Sequence, residues 1–325
     1  MTRTPLTATD LAPLARAALG RTPLTATRLP GGTRKGVYRL ALDDGSTAVV
    51  YVWSAAEDFW DAAPPGPRDP LTPGTGLALF TAAHDRLTAA GVRTPRLLYA
   101  DATRTLLAAD AAVVEDLTGG SLQEALAGDT REAEAALDRF ADLVARLHAQ
   151  RGPAFGSVAL VDNGVVPKGG SCERLVTEGA LRDIAASAAR DRRIAAAHDE
   201  LDDVVEELAS AVRPRSRFSL VHGELGPDHV LLTAQGQPAL VDVEGLRYFD
   251  VEWEHVFLRL RLGSHYPRLR TAGLDEDRLR LYRLATHLSL VAGPLRLLEG
   301  DFPDRVALRG IVEHHLRRAL EFVGE

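Results

Sequence analysis

Two short apolar runs on either side of a polar turn constrain this chain more than anything else in it. Val230-Leu231-Leu232 and Pro238-Ala239-Leu240-Val241 bracket the turn Thr233-Ala234-Gln235-Gly236-Gln237. Strand-length apolar runs joined by a glycine-containing turn predict a β-hairpin, placed here at residues 219–243. Both ends of it carry groups that can do chemistry. His222-Gly223-Glu224 sets a carboxylate in the loop ahead of the hairpin, His229 follows five residues later, and Asp242 closes the second run. Taken singly, these residues fit an ordinary hairpin with surface acids and structural histidines; the whole pattern predicts that loop and strand end converge.

Phosphoryl transfer suits such a spacing. It asks little covalent help of a protein, but it needs positioning and cancellation of negative charge. One carboxylate must orient an attacking hydroxyl and take its proton. Others must hold magnesium against phosphate oxygens, because magnesium favours oxygen ligands in octahedral geometry. Loop carboxylate, metal-liganding side chain at plus five and strand-end aspartate form the skeleton of a kinase-type site.

Composition narrows the class by exclusion. A length of 325 residues suits two lobes or two small domains with ample core. A net charge of -7 argues against a general nucleic-acid binder and is compatible with a cationic small molecule. Cys172 is the sole cysteine, which excludes a disulfide framework and a thiolate zinc site. The sequence has no basic-then-apolar leader and no run of 18 apolar residues, which predicts a soluble, cytoplasmic protein with no membrane contact. Neither a Gly-x-Ser-x-Gly elbow nor a His-Glu-x-x-His helix occurs. Of 38 basic residues only Lys35 and Lys168 are lysines, so few can fill a role that needs an ammonium.

Along the chain, residues 9–19 predict a helix capped by Thr9 or Asp10 and stopped by Gly20. Short β-type runs follow from Leu24 to Trp53, with a glycine turn at Gly31-Gly32 and a hairpin turn at Asp43-Asp44-Gly45. Residues 54–74, with five prolines, predict a loop or insertion; Leu77 to Ala90 predicts a helix ended by Gly91. Arg96–Ala100 and Leu106–Val114 read as strands, and residues 129–150 keep helical spacing. Two helices are expected over 173–212, the hairpin interrupts, and helices resume from about Val251. His314-His315 is expected at the surface, and Cys172 is expected to be inert.

These residues resemble the aminoglycoside phosphotransferase family, the small-molecule branch of the protein-kinase-like fold. The likeness runs from the Gly31-Gly32 turn through Val113-Val114-Glu115-Asp116-Leu117-Thr118-Gly119-Gly120, the helix end Leu143–Ala149, and the His222–Asp242 block to Asp250. It implies an α+β fold with a small antiparallel-sheet N-lobe (1–116) and a mostly helical C-lobe (117–325). The family usually reads His-Gly-Asp, with asparagine five residues after the aspartate. Here Glu224 stands at the base position and His229 at the metal position, a substitution that the macrolide-kinase branch also tolerates. Imidazole is softer than magnesium prefers, so Asp228 beside it is a further candidate. Asp242 matches the metal-binding aspartate unchanged. By resemblance His222, Asp228 and Asp250 support the loop; Glu254 falls at a second acidic position of the family, with solvated helix-start carboxylates as the alternative for Asp250 and Glu254.

On the nucleotide side the sequence departs from the pattern. The family's third-strand lysine falls on Tyr51, and its helix glutamate falls on Phe80. Both partners are replaced together, which is coherent because a lone glutamate near phosphates would be poorly paired. Lys35, with Arg34 assisting, lies just after the glycine turn and is expected to supply the missing cation, as with-no-lysine protein kinases relocate theirs. Backbone amides around Gly31, Gly32 and Gly36 are expected to cradle phosphate. The hinge backbone at Glu115 and Leu117 is expected to bind the nucleotide base.

The resemblance thus implies an ATP- or GTP-dependent, magnesium-requiring kinase acting on a hydroxyl of a small molecule. The acceptor class includes antibiotics (aminoglycoside, macrolide or peptide) and secondary metabolites. The rival is a catalytically impaired kinase-like protein that binds a nucleotide or metabolite and acts through a partner.

Overall fold

The computed structural model describes residues 3–60, 74–128, 130–165 and 170–324. Most of the proline-rich insertion expected at 54–74, and Lys168, lie outside the described residues. In chain order the first elements are α1 (Ala8–Leu19), β1 (Pro23–Arg28), β2 (Gly36–Leu42), β3 (Thr47–Trp53) and α2 (Leu77–Ala89). Next come β4 (Leu97–Asp101), β5 (Asp110–Glu115), α3 (Leu122–Ala127), α4 (Arg131–Ala149), β6 (Arg151–Gly152) and β7 (Gly156–Ser157). Helices α5 (Val158–Val161), α6 (Cys172–Ala188), α7 (Arg192–Ala196) and α8 (His198–Ala211) precede β8 (Phe218–Val221), β9 (Val230–Leu232), β10 (Pro238–Leu240) and β11 (Arg247–Phe249). The chain closes with α9 (Val251–Leu262), α10 (Glu276–Glu299) and α11 (Arg305–Leu320).

The described residues fall into two compact units. The first runs to Leu147 and also takes in Pro227–Gly245; the second holds His148–Gly226 and what is described after Gly245.

In the first unit an antiparallel sheet of order β1-β2-β3-β5-β4 is covered on both faces. Val50 and Val52 of β3 join Leu11 and Leu14 of α1 in one cluster with Tyr38, Leu40, Ala111 and Val113. The alternate residues of β3 face the other way, as strand geometry requires. Tyr51 packs edge-on against Phe80 of α2 at 5.4 Å between ring centroids, and Trp53 lies 5.7 Å from Phe80. Helix α1 is capped by Thr7 in a reciprocal box with Asp10, two residues before the expected cap. Asp10 occupies the third helical position, where it bonds back to the Thr7 amide.

The hairpin β9–β10 forms, pairing Leu231 with Ala239, but it is shorter than the expected 219–243, because residues 219–221 lie in β8 and pair with β6 and β11 instead. It is anchored within the same unit by Gly119 N–H on Leu232 O (3.0 Å), Leu240 N–H on Arg93 O (2.9 Å) and Arg139 Nε on Gly236 O (3.0 Å). A Cβ on Gly119 would lie 2.4 Å from Thr233 O, so a side chain cannot be accommodated at this backbone approach.

The second unit is mostly helical, with α10 packing against α6, α8, α9 and α11. It also holds a four-stranded sheet of order β6-β8-β11-β7. That sheet corrects the sequence expectation of helices broken only by one hairpin: two of its strands are two residues long and a third has three, too short for alternation to be read. The expected pair of helices over 173–212 is α6, α7 and α8, because Asp191 caps a new turn. Strand β5 begins at Asp110, not Leu106. Among the described residues no helix is long and apolar enough to cross a membrane.

Candidate active site

In the first unit the hairpin and the glycine turn bring three charged side chains together. Lys35, immediately before β2, is only 6% exposed. Its Nζ donates to Asp242 Oδ1 at 2.6 Å and to Glu244 Oε1. Burial works against the cation, but the Glu244 and Asp242 carboxylates overcome it and push the Lys35 pKa well up. Tyr51 lies beneath, its ring centroid 5.2 Å from Nζ.

The backbone explains why the acids present themselves this way. Val241 N–H bonds His229 O at 3.0 Å, locking the end of the hairpin. Asp242 then adopts φ 60°, a left-handed conformation uncommon outside glycine but tolerated by aspartate. Its side chain is half exposed, whereas Glu244, two residues on in a 3₁₀ turn that packs against α2, is buried. Glu244 Oε2 has no hydrogen-bond partner among the described residues.

His229 lies beside the same aspartate, its Nε2 4.0 Å from Asp242 Oδ2 and 3.7 Å from Asp228 Oδ2. Among the described residues no three His, Cys, Asp or Glu side chains are grouped closely enough to hold a metal by themselves. That suits magnesium, which takes one or two carboxylates and draws its other oxygens from phosphates and water. The donor set fits, with Asp242 and Asp228 better matched to it than the His229 nitrogen.

The remaining nucleotide-side candidates are also in this unit. Gly31 and Gly32 have φ of 92° and 54°. Arg34 stacks on Trp60 at 4.8 Å and lies 3.8 Å from Asp58. The Glu115 side chain is held by Arg93 at 2.9 Å, and its amide donates to Arg96 O at 3.0 Å. Leu117 is buried.

The second unit contains Glu224, an exposed residue in a loop whose other members from His222 to Gly226 are buried. Gly223 has φ 106°, which allows the chain to turn sharply there. Glu254, fully buried on α9, braces the loop: its carboxylate accepts the amides of His222 (2.5 Å), Gly223 (3.2 Å) and Leu225 (3.1 Å). Trp253 Nε1 donates to Gly223 O at 2.8 Å. Burial pushes the Glu254 pKa up to about 7, with the three amides restraining the rise. Asp250, at the start of the same helix, is held instead by buried Arg278 and by Tyr282 Oη at 2.5 Å. Neither acid is solvated.

Cys172 is buried and its thiol pKa is raised by burial. His314 is exposed, but His315 is buried, its Nδ1 2.9 Å from that of His287, which corrects the surface assignment for one of the two. Glu244 received no role in the sequence reading. Its signal was its place two residues after Asp242, which goes unnoticed until Lys35 folds onto it.

Comparison with known proteins gives the class. A model of the phosphotransferase enzyme family matches residues 25–293. No curated protein matches the sequence. A spectinomycin phosphotransferase, solved with ADP and spectinomycin, superposes with TM-score 0.66 at 12% identity, covering 96% of this chain and 95% of its own. A thermostable mutant of an aminoglycoside phosphotransferase gives TM-score 0.62 at 17% identity, covering 94% and 98%. A choline kinase from Streptococcus pneumoniae gives 0.62 at 12%, covering 97% and 98%. The chain belongs to the phosphotransferase enzyme family and has the fold of its kinases. It is a small-molecule phosphotransferase.

Proposed function

We propose that this protein transfers the terminal phosphoryl group of ATP or GTP to a hydroxyl of a small molecule, an antibiotic or other secondary metabolite. The observation that carries this reading is the contact between Lys35 Nζ and Asp242 Oδ1. It sets a cation from the glycine turn beside the strand-end carboxylate, the two kinds of group that phosphate and its metal require.

In this reading Glu224 orients the acceptor hydroxyl and takes its proton as the oxygen attacks phosphorus. The bond from phosphorus to the bridging oxygen breaks, and the nucleoside diphosphate leaves. Lys35, with Arg34, balances charge on the phosphate oxygens, and the amides near Gly31 and Gly32 add donors. Asp242, with Asp228 or His229, would hold magnesium, which supplies charge neutralisation at the transferring group. The hinge backbone at Glu115 and Leu117 receives the base. Glu254 keeps the Glu224 loop in shape through its amide contacts.

The test is phosphate transfer from ATP and from GTP across a panel of hydroxylated antibiotics, with Glu224→Ala and Asp242→Ala as controls. Transfer to at least one acceptor, lost in both variants, is expected. Activity surviving in both would remove the site assignment. Metal-dependent nucleotide binding without transfer to any acceptor would favour the non-catalytic rival.

A further inference from the structure

We infer that Glu244 is the positioning partner of Lys35, so that the lysine–glutamate pair of this fold has been moved as a unit from strand and helix to glycine turn and hairpin end. The inference rests on the proposed function, since it gives that site's phosphate-binding cation its orienting group.

Three observations carry it. First, the usual location holds an aromatic pair: Tyr51 on β3 and Phe80 on α2 pack edge-on at 5.4 Å. An ammonium or carboxylate there would have to displace two buried rings, 7% and 3% exposed. Second, Lys35 Nζ is in direct contact with Glu244 Oε1, and both residues are buried. Glu244 Oε2 has no hydrogen-bond partner among the described residues, and the Lys35 ammonium is the chief charge that offsets the desolvation of this carboxylate. Third, the aromatic pair supports the new position: the Tyr51 ring lies under Nζ at 5.2 Å. The turn Val243–Gly245 packs against α2, the helix on which the glutamate would ordinarily stand.

The physical consequence concerns aim. Asp242 is half exposed and also faces His229, so alone it would let the ammonium swing. Glu244, buried and approached from the opposite end of a two-residue step, fixes the Nζ position from a second direction. A lysine held from two sides meets phosphate with less ordering left to do.

The experiment measures Mg·ADP affinity by calorimetry for the wild type, Lys35→Ala, Glu244→Gln and Lys35→Ala with Glu244→Gln. Each single variant is expected to weaken binding by roughly tenfold or more, since Lys35→Ala removes the phosphate-binding cation and Glu244→Gln removes one of the two carboxylates that fix it. The double variant is expected to bind about as well as Lys35→Ala, because partners acting as one unit are non-additive. A fifth protein, Lys35→Ala with Tyr51→Lys and Phe80→Glu, rebuilds the pair at strand and helix and is expected to regain affinity over Lys35→Ala. If Glu244→Gln misfolds, Lys35→Met with Glu244→Leu removes both buried charges and is expected to fold while matching Lys35→Ala in affinity. Glu244→Gln binding within twofold of wild type, or additive losses in the double variant, overturns the inference and leaves the proposed function standing. Wild-type protein that binds neither Mg·ADP nor Mg·GDP overturns both.

Discussion

In the first unit Asp242 and Glu244 share one ammonium, that of Lys35; in the second, Glu254 is held by three backbone amides of the Glu224 loop. Both devices offset the desolvation of carboxylates, but they differ in what they depend on. An ion pair between side chains needs two residues whose tips meet, and these can be supplied from different elements. A carboxylate satisfied by consecutive amides needs one particular loop conformation, with Gly223 at φ 106° and Leu225 turned inward. The first device is portable and the second is not. In this chain the ion pair joins a glycine turn to a hairpin end, whereas the amide brace joins one helix to one loop.

The sharpest way to break this comparison is to remove the group that the braced loop presents. Glu224→Ala is expected to lower kcat by about 10²–10⁴-fold, the usual worth of a general base. Mg·ADP affinity should stay within about twofold, because in the proposed reading Glu224 serves the acceptor hydroxyl and not the nucleotide. Steady-state kinetics with the best acceptor, alongside calorimetry, checks both halves. A variant that loses nucleotide affinity but keeps kcat would reverse the division of labour.

Asp250 is the intermediate case, an amide-loop neighbour that uses a cation. Arg278 is about 1% exposed and serves Asp250, Tyr282 and, at 3.4 Å, Glu173. Arg278→Met leaves two buried carboxylates without their guanidinium, so a loss of about 3–5 kcal/mol in unfolding free energy is expected. Denaturant titration measures it. A loss below about 1 kcal/mol would mean that ion pairs in this unit are as dispensable as surface ones.

The pair Lys35–Asp242 also shows how far residues alone can be read. Each stands out separately, Lys35 as a rare lysine just after a glycine turn and Asp242 as the acid that closes an apolar run. Their contact spans 207 positions, and no local spacing joins them. Glu244 belonged to no pattern, and its burial depends on α2 and the glycine turn folding over it. The strands of the five-stranded sheet and α1 are readable because β-prone runs bounded by turn residues, and a glycine stop, are local signals. Strands β6, β7 and β11 were not, since two or three residues carry no period. His315 failed for the same kind of reason: adjacent histidines share a sequence signal, while only one faces the helix that carries His287.

Glu254 sharpens the comparison through pH. Its folded pKa of about 7 lies above the ordinary 4.5, so between those values the folded state keeps a proton that the unfolded chain has lost. Stability from this group therefore falls as pH rises from 4.5 to about 7 and is level above it, by roughly 3 kcal/mol in all. Buried His148 and His255, lowered to about 3 and 4 by desolvation, contribute the opposite slope in the acid range. The difference between wild type and Glu254→Gln isolates the carboxylate. That difference is expected to be pH-dependent across 4.5–7 and flat above, and a flat difference throughout would place the carboxylate's pKa near its ordinary value.

The smallest effect tests whether the loop needs anything besides its amides. Trp253→Phe keeps the ring that packs 5.9 Å from Phe249 but deletes the N–H bonded to Gly223 O at 2.8 Å. One neutral hydrogen bond to a backbone carbonyl contributes about 1 kcal/mol, and the freed carbonyl lies in a buried loop. Unfolding free energy should fall by about that much. If Glu254 alone sets the loop, kcat should change less than about threefold. A larger fall in kcat than in stability would show that the Gly223 carbonyl, and not only the amides around it, fixes where Glu224 stands.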